Sequence, residues 1–153
     1  MEAIRNLVLQ PEEEQKIRVA LQAIFDNPKN KIVHTFSDIE TAMSAMRDFV
    51  RNGEVIFFYD GNRFIGIVIY DVVNYWWSDK RFLMEVMILC VEPKCAGFGR
   101  IGVSILEDLA KEYNCVAINS GCIVESNKSI VTNMYKKAGY SFDVPAFIKE
   151  VKQ

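Results

Sequence analysis

An apolar run from Met84 to Val91 passes directly into Glu92-Pro93-Lys94-Cys95-Ala96-Gly97-Phe98-Gly99-Arg100-Ile101-Gly102. That stretch opens an amphipathic segment from Ile101 to Tyr113. The order reads strand, glycine-rich turn, helix. Glycines at such a turn let backbone approach a ligand closely, and the amides of a helix start attract phosphate. The chain must therefore accommodate one strand–turn–helix unit in mid-sequence, with a phosphate-bearing ligand as the expected occupant of its turn.

The remaining pattern surrounds this unit with further strands and helices. Residues 3–9 read as a short strand. Pro11-Glu12-Glu13-Glu14 starts a helix, with proline early and acids in the first turn, and Asn27-Pro28 ends it. Residues 31–36 read as extended chain or loop. Ser37 and Glu40 form a capping-box pattern for a second helix reaching Asn52-Gly53. Val55–Tyr59 and Phe64–Val73 flank Asp60-Gly61-Asn62, a hairpin signal. Phe82–Val91 is the strand before the glycine turn, and Val116–Ser120 follows its helix. Asn127–Ala138 is a helix closed by Gly139. Tyr140–Val144 and Phe147–Val151 read as a final strand pair. Three consecutive strands imply antiparallel pairing, whereas strand–helix–strand around the turn implies a parallel pair. This is an α/β (α+β) pattern within a single expected domain, 1–153. A purely parallel doubly wound sheet does not give this order.

Composition narrows the function classes. At 153 residues, half hydrophobic and a quarter charged, the chain has the profile of an ordinary globular protein. A formal net charge of -2 without a lysine or arginine cluster advertises no nucleic-acid surface. The apolar runs are too short for a bilayer, so no membrane partner is expected. Cys90, Cys95, Cys115 and Cys122 lack paired zinc spacing, and the only histidine, His34, lies far from them, so no metal is expected. With no signal peptide, the default is a reducing cytoplasmic setting.

Gly97-Phe98-Gly99-Arg100-Ile101-Gly102 spells a dinucleotide fingerprint, but that version belongs to a first strand–helix unit. It also needs an acid at the end of the next strand. Here Cys115-Val116-Ala117-Ile118-Asn119-Ser120 supplies none. The Gly-x-x-x-x-Gly-Lys-Ser/Thr spacing of a nucleotide P-loop is absent. A different succession fits better: Val-x-Pro, then Gly-x-Gly-x-x-Gly and a helix, then Asn127 and Tyr135-Lys136-Lys137-Ala138-Gly139-Tyr140. It resembles the GNAT superfamily of N-acetyltransferases, and the element order is similar across nearly the whole chain. The resemblance implies a mixed, mostly antiparallel central sheet with helices on both faces and a splayed central parallel strand pair. It also implies acetyl-CoA as co-substrate and direct attack by a primary amine. Lys94 stands where the family usually has Gln or Arg.

Amine attack on a thioester requires loss of the amine proton, and the departing thiolate benefits from a donor. By the resemblance, Tyr135 is the candidate acid, though it also fits as a packing residue. Glu85, the only acid in Phe82–Val91, is the candidate base or else an exposed acid at a strand start. Period-two alternation sets it on the face of Met87, Leu89 and Val91. Ala96, Gly97, Phe98, Gly99, Arg100, Ile101 and Gly102 are candidates for the pyrophosphate, with Lys94 and Arg100 as charge partners. Leu89, Cys90 and Val91 are candidates for the pantetheine arm, joined by Asn127 on the family pattern. Tyr75-Trp76-Trp77 is the candidate acceptor surface, a core plug or a dimer contact. The partner is a small-molecule or peptide amine, with a homodimer left open. The competing reading is a non-catalytic module that binds acyl-CoA or a protein.

Overall fold

A computed structural model describes residues 1–93, 96–121, 124–141 and 146–152. Its described elements are β1 (Glu2–Ile4), α1 (Pro11–Asp26), α2 (Lys31–Phe36), α3 (Ile39–Arg51), β2 (Val55–Asp60), β3 (Arg63–Val73) and β4 (Phe82–Cys90), followed by α4 (Phe98–Glu112), β5 (Ala117–Asn119), a 3-10 turn (Glu125–Asn127) and α5 (Lys128–Lys137). The strands form one sheet in the order β1-β2-β3-β4-β5. The first three junctions are antiparallel, and β4–β5 is parallel.

Each face of the sheet carries its own core. On one face Ile17 and Leu21 of α1 and Met43, Met46 and Val50 of α3 meet Phe57, Ile67, Ile69 and Leu89. On the other, Leu106, Leu109 and Ala110 of α4 meet Ile56, Val68, Tyr70 and Leu83. These residues follow the period of 3.6 in the helices and of about 2 in the strands. The β2–β3 hairpin closes through Gly61-Asn62, with Asp60 opposite Arg63 and Gly61 at φ 59°.

Several boundaries differ from the sequence reading, each for a local reason. Residues 31–36 are helical as α2. Asn30 is buried, donates to the Ile24 carbonyl at 3.0 Å and accepts from the Ser126 amide at 2.9 Å. Glu125 in turn accepts the Lys31 amide at 3.1 Å. Partners more than ninety residues away thus hold a segment whose β-branched content argues against a helix. Asp38, not Ser37, caps α3, accepting from Thr41 N at 2.7 Å, while Glu40 pairs with Arg18. β1 covers only Glu2–Ile4 of the expected 3–9. Phe147–Val151 lies in no strand, and most of the expected strand Tyr140–Val144 falls outside the described residues.

One irregularity matters most. In the β3–β4 ladder Ile69 pairs with Met87 but Tyr70 pairs with Glu85, so Val86 is an extra residue: a β-bulge. Residues opposite each other across a ladder share a face. Met87 lies with Ile69 in the α1/α3 core, whereas Tyr70, the partner of Glu85, lies in the α4 core. The bulge therefore overturns the simple alternation. Glu85 shares its face with Leu83 and Ile88, beneath α4 and α5, and not with Met87, Leu89 and Val91.

Candidate active site

Among the described residues β4 and β5 pair over Phe82–Met84 and Ala117–Asn119, after which β4 runs on to Cys90 while β5 ends. The edge of β4 beyond Met84 borders a cleft of about 800 Å3. Its walls come from Glu85–Ile88 and Cys90 of β4, Gly97–Arg100 at the start of α4, and Asn127, Met134, Tyr135 and Lys137 around α5.

The cleft begins at an open helix terminus. Gly97 precedes α4 in the left-handed region at φ 87°, where a side chain would be strained, and among the described residues no heavy atom stands near the position of a Cβ. Gly97 has no side chain with which to cap α4, and the first turn of the helix holds no acid. Amide groups and the positive end of the helix dipole are thus directed at the cleft beside Arg100. Gly102 has a different reason. A Cβ there would lie 2.8 Å from Ile88 Cγ2, so this glycine lets α4 rest on β4. Phe98 is buried with its ring 5.3 Å from that of Phe58, edge to face. Its side chain anchors the turn to the sheet, leaving its backbone for the cleft.

Between β4 and α5 a phenol and a carboxylate meet. The Tyr135 hydroxyl donates to Glu85 at 2.7 Å from both Oε1 and Oε2. Burial pushes the Glu85 carboxyl above its usual range, while the nearby Ser120 and Tyr135 hydroxyls pull the other way. Ser120 Oγ lies 3.0 Å from the Tyr140 hydroxyl, and the Tyr140 ring stands 5.0 Å from that of Tyr135. Burial also raises the Tyr140 phenol, helped by the charges of Glu85 and Glu107. A desolvated carboxylate and a phenol in one hydrogen bond can pass a proton between a nucleophile and a leaving group.

The structure thus brings together Glu85, Cys90, Gly97, Phe98, Gly99, Arg100, Asn127 and Tyr135. Leu89 and Val91 pack into the opposite core. Ile101 is partly exposed, Gly102 is buried against Ile88, and Ala96 is exposed outside the cleft lining. Lys94 lies outside the described residues. Asn127 ends the 3-10 turn and precedes α5 without capping it. Tyr75 and Trp77 stack at 5.2 Å, each edge-on to Phe82, and Trp76 is 96% exposed. This aromatic group lies outside the cleft lining, but Asn119 donates to the Tyr75 hydroxyl at 2.7 Å, one residue before Ser120. His34 is exposed and contacts the Phe25 carbonyl at 2.8 Å. Sequence reasoning missed Ser120, which no motif marks, and took Tyr140 only as the end of a pattern.

Among the described residues no group of three or more His, Cys, Asp or Glu is placed to hold a metal, and no helix is long and apolar enough to cross a membrane.

The mixed sheet, the parallel β4–β5 pair and the glycine turn beside the strand gap define a GNAT-like acetyltransferase fold. Solved structures match it along essentially the whole chain. An aminoglycoside acetyltransferase from an uncultured soil metagenomic sample is 14% identical with a TM-score of 0.61, covering 99% of this chain and 98% of that one. A Clostridium difficile 630 protein, provisionally described as an acetyltransferase, is 10% identical at 0.69, covering 99% and 98%. A transcriptional regulator of Bacillus halodurans C-125 is 11% identical at 0.72, covering 98% and 99%. No protein-family model matches the sequence, and no curated protein matches it. At these identities the likeness is one of fold.

Proposed function

We propose that the protein transfers an acetyl group from acetyl-CoA to a primary amine by direct nucleophilic attack. The observation that carries this reading is the Tyr135–Glu85 pair, set in a cleft that also contains the acid-free start of α4. Amides of Gly97–Arg100 receive the pyrophosphate, with Arg100 and Lys137 as nearby positive charges. The pantetheine arm lies along the part of β4 that borders the cleft, in the manner of an added strand.

An alkyl ammonium has a pKa of ~10.4, so the acceptor must give up a proton before attack. Glu85 takes it, and burial makes this carboxylate a stronger base than an exposed one. Nitrogen bonds to the acetyl carbon and the carbon–sulfur bond breaks. Tyr135 gives its proton to the sulfur and recovers one from Glu85 along their existing hydrogen bond. The net result moves one proton from amine to thiol and returns both side chains to their starting states. Alignment of the two substrates supplies much of the acceleration.

The acceptor in this reading is a small-molecule or peptide amine approaching by Tyr75, Trp76 and Trp77, in a reducing cytoplasmic setting. A second reading, an acyl-CoA-binding module without transfer, draws on one observation: the Tyr135 proton is already directed at Glu85.

Calorimetric titration with acetyl-CoA, followed by thiol release across a panel of amines, separates the readings. Binding with release for at least one amine supports transfer. Binding without release supports the module, and no heat at millimolar acetyl-CoA sinks both. In the transferring case Tyr135→Phe lowers kcat by ~100-fold or more while the dissociation constant of acetyl-CoA stays within about twofold. Unchanged kcat removes Tyr135 from the acid role.

A further inference from the structure

Neither α2 nor α5 buries a residue, and both are too short to be stable as isolated helices, so something besides core packing must fix where they sit. Their N-terminal ends hold each other. Asn30, at the start of α2, is 1% exposed. Its side chain accepts the Ser126 amide at 2.9 Å and donates to the Ile24 carbonyl at 3.0 Å. An amide N–H only donates and a carbonyl only accepts, so these two neighbours fix the orientation of the Asn30 side chain. In return the Glu125 carboxylate accepts the Lys31 amide at 3.1 Å. That brings an acid to the start of α2, whose own first turn has none. Val124, ahead of the 3-10 turn, has an apolar side chain that cannot cap it. Each end thus receives from the other a partner that its own sequence does not supply.

The clasp reaches the cleft through α5. The turn Glu125–Asn127 runs directly into α5, and Ser126 stands nine residues before Tyr135. At the other end of the clasp, Ile24 belongs to α1 and packs against the core on the α1/α3 face. Further along, α5 rests on the start of α4, where a Cβ on Gly99 would lie 2.7 Å from Met134 Sδ. Tyr135 then meets Glu85 at 2.7 Å. We propose that Asn30 and Glu125 are positioning residues that fix the entry of α5 and so hold the Tyr135 hydroxyl at its working place. The inference rests on the reading of Tyr135 as the acid. During transfer Tyr135 turns its proton toward sulfur and gives up its bond to Glu85. The clasp and the Met134 contact remain, so the phenol turns from a fixed helix instead of moving with a loosened one.

Two readouts test the clasp, one of which needs no turnover. Glu125 is exposed, so Glu125→Ala removes the acceptor of the Lys31 amide without opening a cavity. It should lower kcat by about tenfold while the dissociation constant of acetyl-CoA, held by α4 in this reading, stays within about twofold. Glu125→Gln keeps a side-chain oxygen that can accept the same amide and should restore kcat. Asn30→Ala, which strips both the Ser126 amide and the Ile24 carbonyl of their partner, should cost more than Glu125→Ala.

The second readout is fluorine resonance of the protein labelled with 3-fluorotyrosine, free of substrate. The signal of Tyr135 is assigned by its loss in Tyr135→Phe. Glu125→Ala should move that signal by more than its line width, and Glu125→Gln should return it to the parent position. The signal of Tyr59, which bonds Glu13 in a different part of the fold, should stay in place in both variants. Should no amine be acetylated, the reading of Tyr135 as the acid fails, yet the fluorine signals still decide whether the clasp governs the Tyr135–Glu85 contact. A Tyr135 signal that keeps its parent position in Glu125→Ala overturns the proposal. So does a shift that Glu125→Gln fails to reverse, because the accepted amide is then not what matters. The Glu125 pair keeps the test valid if Asn30→Ala does not fold.

Discussion

Helices α1 and α4 are nearly equal in length, 16 and 15 residues, but their first turns are chemically opposite. α1 begins with Pro11 and carries Glu12, Glu13 and Glu14 in its first turn. Glu13 is buried, accepts the Gln10 amide at 2.9 Å and also accepts the Tyr59 hydroxyl. Burial and the Glu13 carboxylate together push the Tyr59 phenol up. The acids of that first turn already answer the helix dipole, and Glu13 is committed to partners within the protein. α4 begins after Gly97, which has no side chain to cap it, and its first turn carries Arg100 and no acid. The contrast teaches that a helix start serves either the fold or a ligand: acids and caps commit it to the first, and their absence beside a cleft leaves it for an anion.

The comparison can be broken by giving each terminus the character of the other. Arg100→Glu places an acid at the start of α4 and should weaken acetyl-CoA binding by about tenfold or more, with little change in melting temperature. Titration calorimetry beside a thermal melt reads both. Glu13→Ala should do the reverse. It strips an amide and a phenol of their acceptor, lowering stability by about 1–3 kcal/mol while acetyl-CoA affinity stays unchanged. A loss of affinity there would mean the two termini are not separate in function. Gly97→Ala should fall between, since a Cβ at φ 87° strains the backbone by about 1 kcal/mol and also disturbs the amides facing the cleft. Both melting temperature and affinity should fall modestly.

Local features of this molecule were readable in the sequence. The hairpin at Gly61-Asn62, the acidic start of α1 and the glycine turn before α4 are each encoded within a few residues. Glu85 and Tyr135 were legible as candidates through their positions relative to the strand and the motif, and the structure sets them 2.7 Å apart. Non-local features were not readable. Nothing in Phe82–Val91 announces the extra residue at Val86, yet that bulge decides which face Glu85 occupies. α2 has little helical preference of its own and depends on the bonds that Asn30 accepts from Ser126 and that Lys31 gives to Glu125. Ser120 is an ordinary serine after a strand until the fold brings Tyr140 and Glu85 to it. Phe98 reads as a turn residue at the ligand, but its ring belongs to the core.

The central claim is that acyl-CoA is held by the open start of α4. Amide chemical shifts of the isotopically labelled protein, followed during titration with CoA, test it most directly. The account predicts that the largest changes fall on the amides of Phe98, Gly99 and Arg100, while those of Glu12, Glu13 and Glu14 stay in place. Saturable binding that leaves the α4 amides unmoved would contradict it.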